Sequence, residues 1–270
     1  MMAESSISSS TDVLKRTFIS GCHILHHHRV LDAYGHISVR NPRRHDTFFM
    51  PRNLAPGLIS SAEDILEYFV DDAAPVDPLS PNGYVERFIH SEIYRRYPEV
   101  QSVVHSHAPS VLPYTITDVE MRPCVHMSGF LGQSVQKFDV SQFYAKDDTR
   151  DLLIRNKSLG ARFAESFSRP DQTLHGPVVL MRGHGFTVIG GSIEESVFRA
   201  IYTAENARIQ TTAMAIDASD RGREPDNKGL HYLQDSELVD TTEMTRWSVM
   251  RPWKLWVREV ETTGLYENSA

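Results

Sequence analysis

Leu14, Phe18, Ile19, Cys22, Leu25 and Val30 recur at the spacing of one helical face, and Thr11-Asp12 just before them can cap its start. Residues 1–11 are Ser-rich and carry no such pattern, which predicts a disordered N-terminal tail. The period then shortens. Gly35-His36-Ile37-Ser38-Val39-Arg40 alternates as a strand does; Phe48–Pro51 is a second short strand turning at Arg52-Asn53, and Ile65–Val70 a third ending in the turn Asp71-Asp72. Residues 73–83, rich in Pro, Asp, Ser, Asn and Gly, predict an irregular loop. A helix is expected from about Val85 to Tyr97, stopped by Pro98, then a strand over Ser102–His107 and a helix from near Pro109. Pro123–Met127 followed by Gly129–Gly132 reads as strand and turn, residues 150–167 as a helix, Gly176–Met181 as a buried strand and Thr187–Ile189 as the next. A long helix runs from Ser192 to about Ile216, with Ser192 and Glu195 at capping-box spacing. Residues 217–230 are charged and carry Gly and Pro, as a loop or hinge does. The remainder to about Leu265 is mostly helical and holds Trp247, Trp253 and Trp256.

Strands and helices interleave, so the expected class is α/β around one central sheet, and the many short strands favour a mixed sheet over a purely parallel one. Residues 12–216 form the expected main domain, and residues 217–270 a helical extension packing on it. The 270 residues suffice for a large core. With 28 basic against 35 acidic residues the net charge is -7, and no dense basic run offers a nucleic-acid footprint. Two cysteines, Cys22 and Cys124, without CxxC spacing, form neither a disulfide framework nor a thiolate metal site and fit a reducing compartment. No apolar stretch approaches the roughly 20 residues that span a bilayer. Residues 1–10 lack the apolar run of a secretory signal, so a cytoplasmic location is expected, with no membrane partner.

Thirteen histidines direct attention to metal chemistry. His105-Ser106-His107 ends an apolar strand, where residues two apart share a face and two imidazoles can share one cation. On its own the pair is weak evidence and reads more readily as packed or solvated rings. Arg182-Gly183-His184-Gly185 follows a buried strand; its glycines allow tight turns and close approach, so His184 is a third ligand candidate or an incidental turn histidine. Glu86, one helical turn before His90, is a candidate fourth ligand, an acid/base, or a first-turn glutamate favoured by the helix dipole. His26, His27 and His28 point about 100° apart on a helix and cannot all face one ion. His90 and His126 are lesser candidates.

The stretch YVERFIHSEIYRRYPEVQSVVHSHAPSVLP, followed downstream by VVLMRGHGFTVIGGSIEESVFRAIYTAENA, resembles the class II aldolase/adducin family over roughly residues 12–216. The resemblance implies a three-layer α/β/α fold whose central mixed, largely antiparallel sheet is flanked by helices. It implies a divalent metal on His105, His107 and His184, with Glu86 in the place of the acidic catalytic residue. Zn²⁺ is the first expectation, with Mn²⁺, Fe²⁺ or Co²⁺ as alternatives. It also implies a homotetramer with sites near subunit interfaces. Phosphosugar members grip phosphate with hydroxyl and glycine residues in three segments, which here read Tyr34-Gly35-His36, Pro51-Arg52-Asn53 and Tyr84-Val85. That cradle is lost. His36, Arg52 and Tyr84, with His126, are instead the candidate substrate contacts, His36 and Arg52 as donors to a carboxylate or phenolic oxygen. The chain resembles the decarboxylase-like branch. The expected function is a metal-dependent carbon–carbon lyase, decarboxylase or retro-aldolase, acting on a non-phosphorylated oxo- or hydroxy-acid, aromatic acids included. A non-haem iron(II) oxygenase on the same scaffold and a non-catalytic adducin-like binding module are the alternatives.

Overall fold

The computed structural model describes residues 2–169, 171, 173–220 and 229–270, and the side chains of 11–169, 171, 173–219 and 229–270. Helix α1 spans Met2–His27, then come β1 His36–Arg40, β2 Thr47–Pro51, β3 Ile65–Phe69, α2 Arg87–Arg96, β4 Ser102–Ser106 and α3 Leu112–Ile116. After these follow β5 Gln136–Phe138, α4 Lys157–Glu165, β6 Val178–Met181, β7 Gly185–Gly190, α5 Ile193–Asp220, α6 Asp235–Ser248 and α7 Met250–Thr262. Among the described residues, seven strands make one sheet in the order β3-β2-β1-β4-β7-β6-β5. Every neighbouring pair is antiparallel except β5 with β6, which is parallel. The sheet is therefore mixed and largely antiparallel, as expected.

Helices cover both faces, which is why β1, β2, β4, β6 and β7 are buried at every position. On one face Ile37, Val39, Val104 and Val188 pack against Phe18, Ile19 and Leu25 of α1, Val197 and Ile201 of α5, and Trp253 and Trp256 of α7. On the other, Phe48, Met50, Val103 and Val179 pack against Ile89, Ile93 and Tyr94 of α2 and Leu159 and Phe163 of α4. Each such side chain stabilises the fold by about 1.5–3 kcal/mol when fully buried. Among the described residues no helix is long and apolar enough to cross a membrane.

Several boundaries differ from expectation. The backbone of α1 starts at Met2, so the expected tail, whose side chains up to residue 10 lie outside those described, is assigned to this helix. Pro123–Met127 is not a strand. Side chains of α5 satisfy its backbone instead: Gln210 accepts from the Arg122 amide, and Asn206 both accepts from the Cys124 amide and donates to the Arg122 carbonyl. A 3₁₀ helix over His126–Leu131 follows, and the unexpected edge strand is β5. Helix α4 starts only at Lys157, where Asn156 caps it by accepting from the Leu159 amide at 2.9 Å. At α5, Ser192 accepts from the Glu195 amide as a capping box requires, but the Glu195 carboxylate takes the Gly191 amide instead. Helix α5 continues to Asp220, and the rest of the expected hinge, up to 228, lies outside the described residues. Of the three tryptophans, Trp253 and Trp256 are buried and Trp247 is 77% exposed, so they do not form one cluster.

Candidate metal centre

Strand pairing assembles the site. β1 and β7 flank β4, with His36 opposite His105 on one side and Thr187 opposite His105 on the other. These three side chains form a row on the face that α2 covers. His107 follows two residues after His105, just past the end of β4. His184 comes from the β6–β7 turn, where its amide donates to the Met181 carbonyl. Both glycines beside it are required: Gly183 has φ 64°, and a Cβ on Gly185 would lie 2.0 Å from the Ser106 carbonyl oxygen. Glu86 occupies the N-cap position of α2 but makes no capping hydrogen bond with its side chain. Its Oε1 accepts from the Ile154 amide at 2.9 Å, and its Oε2 lies 3.4 Å from His184 Nε2 and 3.7 Å from His105 Nε2. One ligand atom each from Glu86, His105, His107 and His184 lie within 4.8 Å of one another.

The hydrogen bonds behind the rings show that this group suits a cation. His107 Nδ1 lies 3.3 Å from both carboxylate oxygens of Asp32, which only accept, so Nδ1 carries the proton and Nε2 a lone pair. Thr187 donates its hydroxyl hydrogen to Met181 Sδ, so it accepts from His105 Nδ1 at 3.1 Å, and His105 Nε2 is a lone pair too. The two Nε2 atoms are 3.0 Å apart. Two lone pairs facing at that distance repel unless a positive charge joins them. His184 contributes a third ring, from a half-buried residue whose two ring nitrogens are both shielded from solvent and make no well-formed hydrogen bond. Partners that hold the far nitrogen of each ring, as Asp32 and Thr187 do, are the usual support of metal-binding histidines.

Charge states follow from this crowding. Burial, then the neighbouring His184 and His107 rings, hold His105 well below the ordinary 6.5. Burial, then His90, does the same for His36. Burial also opposes a proton on His184, but the Glu86 carboxylate outweighs it and raises that ring's pKa. For Asp32, burial is outweighed by the Tyr34 and Gly35 amides and by His107, and its pKa is lowered.

A cavity of about 360 Å³ opens beside the cluster, lined by Tyr34, His36, Asn53, Tyr84, Val85, Glu86, His107, Leu153, Gly183 and His184. None of these is a lysine or arginine. His36 and Tyr84 both line this cavity, and the Tyr84 hydroxyl donates to the Leu54 carbonyl, which leaves its ring as a wall. Arg52 does not line the cavity. Its Nε donates to Asp64 Oδ1 at 2.7 Å, and that carboxylate is itself held in place by the Ser60 and Ser61 amides. His126 is exposed in the 3₁₀ helix between α3 and β5 and does not line the cavity either. His90 lies one layer behind His36. Sequence reasoning missed Asp32, Thr187 and the Ile154 amide. Asp32 sits four residues before His36 in a turn-forming stretch, which is the single local signal any of them carried.

Residues 16–211 match the family model described as the class II aldolase and adducin N-terminal domain. A decarboxylase named tropJ from Talaromyces stipitatus is 67% identical over 257 residues, which are 94% of this chain and 97% of that protein. A 3,4-dihydroxyphthalate decarboxylase from Arthrobacter keyseri is 30% identical over 188 residues, 67% of this chain and 70% of that one. Among solved structures, an aldolase II superfamily protein from Pseudomonas syringae superposes with a TM-score of 0.71 at 19% identity, covering 94% of each chain, and so shares the fold. The sheet order, the histidine–glutamate cluster and these similarities agree, and the chain belongs to the class II aldolase and adducin family.

Proposed function

We propose that this chain is a divalent-metal-dependent lyase that decarboxylates a non-phosphorylated aromatic hydroxy- or oxo-acid. The observation that carries the reading is the facing pair of lone pairs on His105 and His107, closed by His184 and Glu86, at the end of a cavity with aromatic and apolar walls. A binding module has no use for such a convergence. The 67% identical relative carries the name decarboxylase, and the 30% relative acts by name on a dihydroxylated aromatic diacid.

His105, His107 and His184 would hold the ion, leaving positions open toward the cavity. When bound, it supplies positive charge beside the substrate oxygen that gains electron density as the carbon–carbon bond breaks. In decarboxylation the bond to the carboxylate breaks, the electron pair stays on the substrate, and the carbon that lost CO₂ takes up one proton. Glu86, pinned through Oε1 by Ile154, turns Oε2 toward the His184 and His105 rings beside the cavity and is placed to hold and deliver that proton. Tyr34, Tyr84, Val85 and Leu153 offer flat and apolar walls for an aromatic ring. With no cationic side chain on the lining, phosphosugars should be poor substrates. The assembly we propose is a homotetramer, for which sedimentation should give four times the 30.6 kDa chain mass.

The test joins metal analysis to turnover. 3,4-Dihydroxyphthalate and simpler ortho-hydroxylated aromatic acids should release CO₂ with the metal-loaded enzyme, with or without oxygen. Glu86→Gln should keep its metal while turnover falls roughly 10²–10⁴-fold. Unchanged turnover in that variant removes Glu86 from the reaction. Oxygen-dependent turnover replaces the lyase with an oxygenase.

A further inference from the structure

Behind His36 runs a buried chain of polar groups that leads away from the metal cluster. His36 Nδ1 meets His90 Nε2 at 2.8 Å, His90 Nδ1 meets Ser38 Oγ at 2.6 Å, and Ser38 Oγ meets the Tyr94 hydroxyl at 2.7 Å. His36 and Tyr94 are 1% exposed, and His90 and Ser38 are fully buried. Each neutral ring and each hydroxyl in this chain carries one hydrogen, so once one link is set, giving every hydrogen an acceptor sets the others. The direction is decided at the far end. The Tyr94 hydroxyl meets Ser38 Oγ, and among the described residues no other hydrogen-bond acceptor is found for it. Among the described residues the phenol hydrogen therefore has Ser38 as its acceptor. The opposite direction would bury that hydrogen without an acceptor, a large penalty for a neutral hydrogen-bonding group. So Tyr94 donates to Ser38, Ser38 donates to His90 Nδ1, and His90 donates through Nε2–H to His36 Nδ1. That leaves His36 with its proton on Nε2, at the ring edge not committed to His90, in a residue that lines the cavity.

We propose that His90, with Ser38 and Tyr94, is a positioning device that locks His36 as the Nε2–H tautomer, so that His36 presents a hydrogen-bond donor to a substrate oxygen and selects ligands carrying an acceptor there. The selection of ligands rests on the proposed function, in that the cavity is the substrate's; the tautomer does not. Tyr84 has spent its hydroxyl on Leu54, and the lining holds no lysine or arginine, so His36 is a principal donor on that wall.

The tautomer is read directly by magic-angle-spinning NMR of zinc-loaded protein labelled with ¹⁵N-histidine, with His36→Gln and His90→Gln assigning the signals. His36 and His90 should both show a protonated Nε2 and a bare Nδ1. A protonated Nδ1 on either ring overturns the proposal. Binding then tests the consequence, using 2-hydroxybenzoate and benzoate as probes. The wild type should prefer 2-hydroxybenzoate. Tyr94→Phe releases the direction of the chain, and its preference should shrink by roughly tenfold, the scale of one hydrogen bond, at unchanged zinc content. Equal loss of affinity for both probes, or an intact preference, overturns the proposal. Ser38→Ala breaks the same chain and serves if Tyr94→Phe does not fold. If the wild type decarboxylates no aromatic acid, the functional assignment fails, while the tautomer spectrum, which needs no substrate, still decides the relay.

Discussion

His107 owes its orientation to a residue that carries no chemistry of its own. Asp32 accepts from the Tyr34 and Gly35 amides at 2.9 and 2.8 Å, and the carboxylate fixed this way holds His107 Nδ1. Asp32→Asn keeps the shape but removes the charge and one certain acceptor. Metal affinity should fall by roughly 10–100-fold with the fold intact, as titration with a competing chelator will show. Removing an imidazole is more severe: His107→Ala should lose metal and activity together. A backbone substitution reaches the same site. Gly185→Ala must push the Ser106 carbonyl away from the new methyl group, which displaces His184 along with it. The variant should lose metal and more than about 1 kcal/mol of stability, measured by urea unfolding.

Between β1 and α2 the packing buries neutral histidines, and this makes the interface between the two elements sensitive to acid. Burial pushes the His90 pKa from 6.5 down to about 3. The unfolded chain binds that proton near pH 6.5, so between these two values acid favours unfolding. The contribution of each such ring should be constant above pH 7 and fall by about 1.4 kcal/mol per pH unit below 6.5. Metal-free protein unfolded in urea at pH 7 and pH 5.5 measures the slope. His90→Gln should be less steep by one proton's worth, and an unchanged slope would show that His90 is already charged in the folded state.

Across the whole molecule, the candidate ligands stand at the start of α2, on and just after β4, and in the β6–β7 turn, segments separated in the chain and joined only by folding. An ion held by all of them binds the folded state alone and should stabilise it by about 2.7 kcal/mol at a hundred times its dissociation constant. For a chain of this size that is a rise in melting temperature of roughly 5–10 °C. Calorimetry with and without Zn²⁺ measures it, and His184→Ala should abolish most of the shift.

The class of fold and all four convergent groups were legible in the sequence, each as a candidate from local spacing and as a set through the family resemblance. Alternation put His105 and His107 on one face, flanking glycines exposed His184, and a single helical turn joined Glu86 to His90. The failures were those where the partner was distant. Pro123–Met127 had the composition of a strand, but its backbone partners are side chains of α5 about 80 residues away. Arg52 looked like a free donor because nothing local shows that Asp64 takes it. Thr187 supports His105 only because β7 pairs beside β4 in one particular register. Sequence by itself determined which residues could bind a metal and on which elements they stand. Tertiary structure alone decided which nitrogen of each ring carries its proton, because a tautomer is set by the group across the sheet and not by any neighbour in the chain.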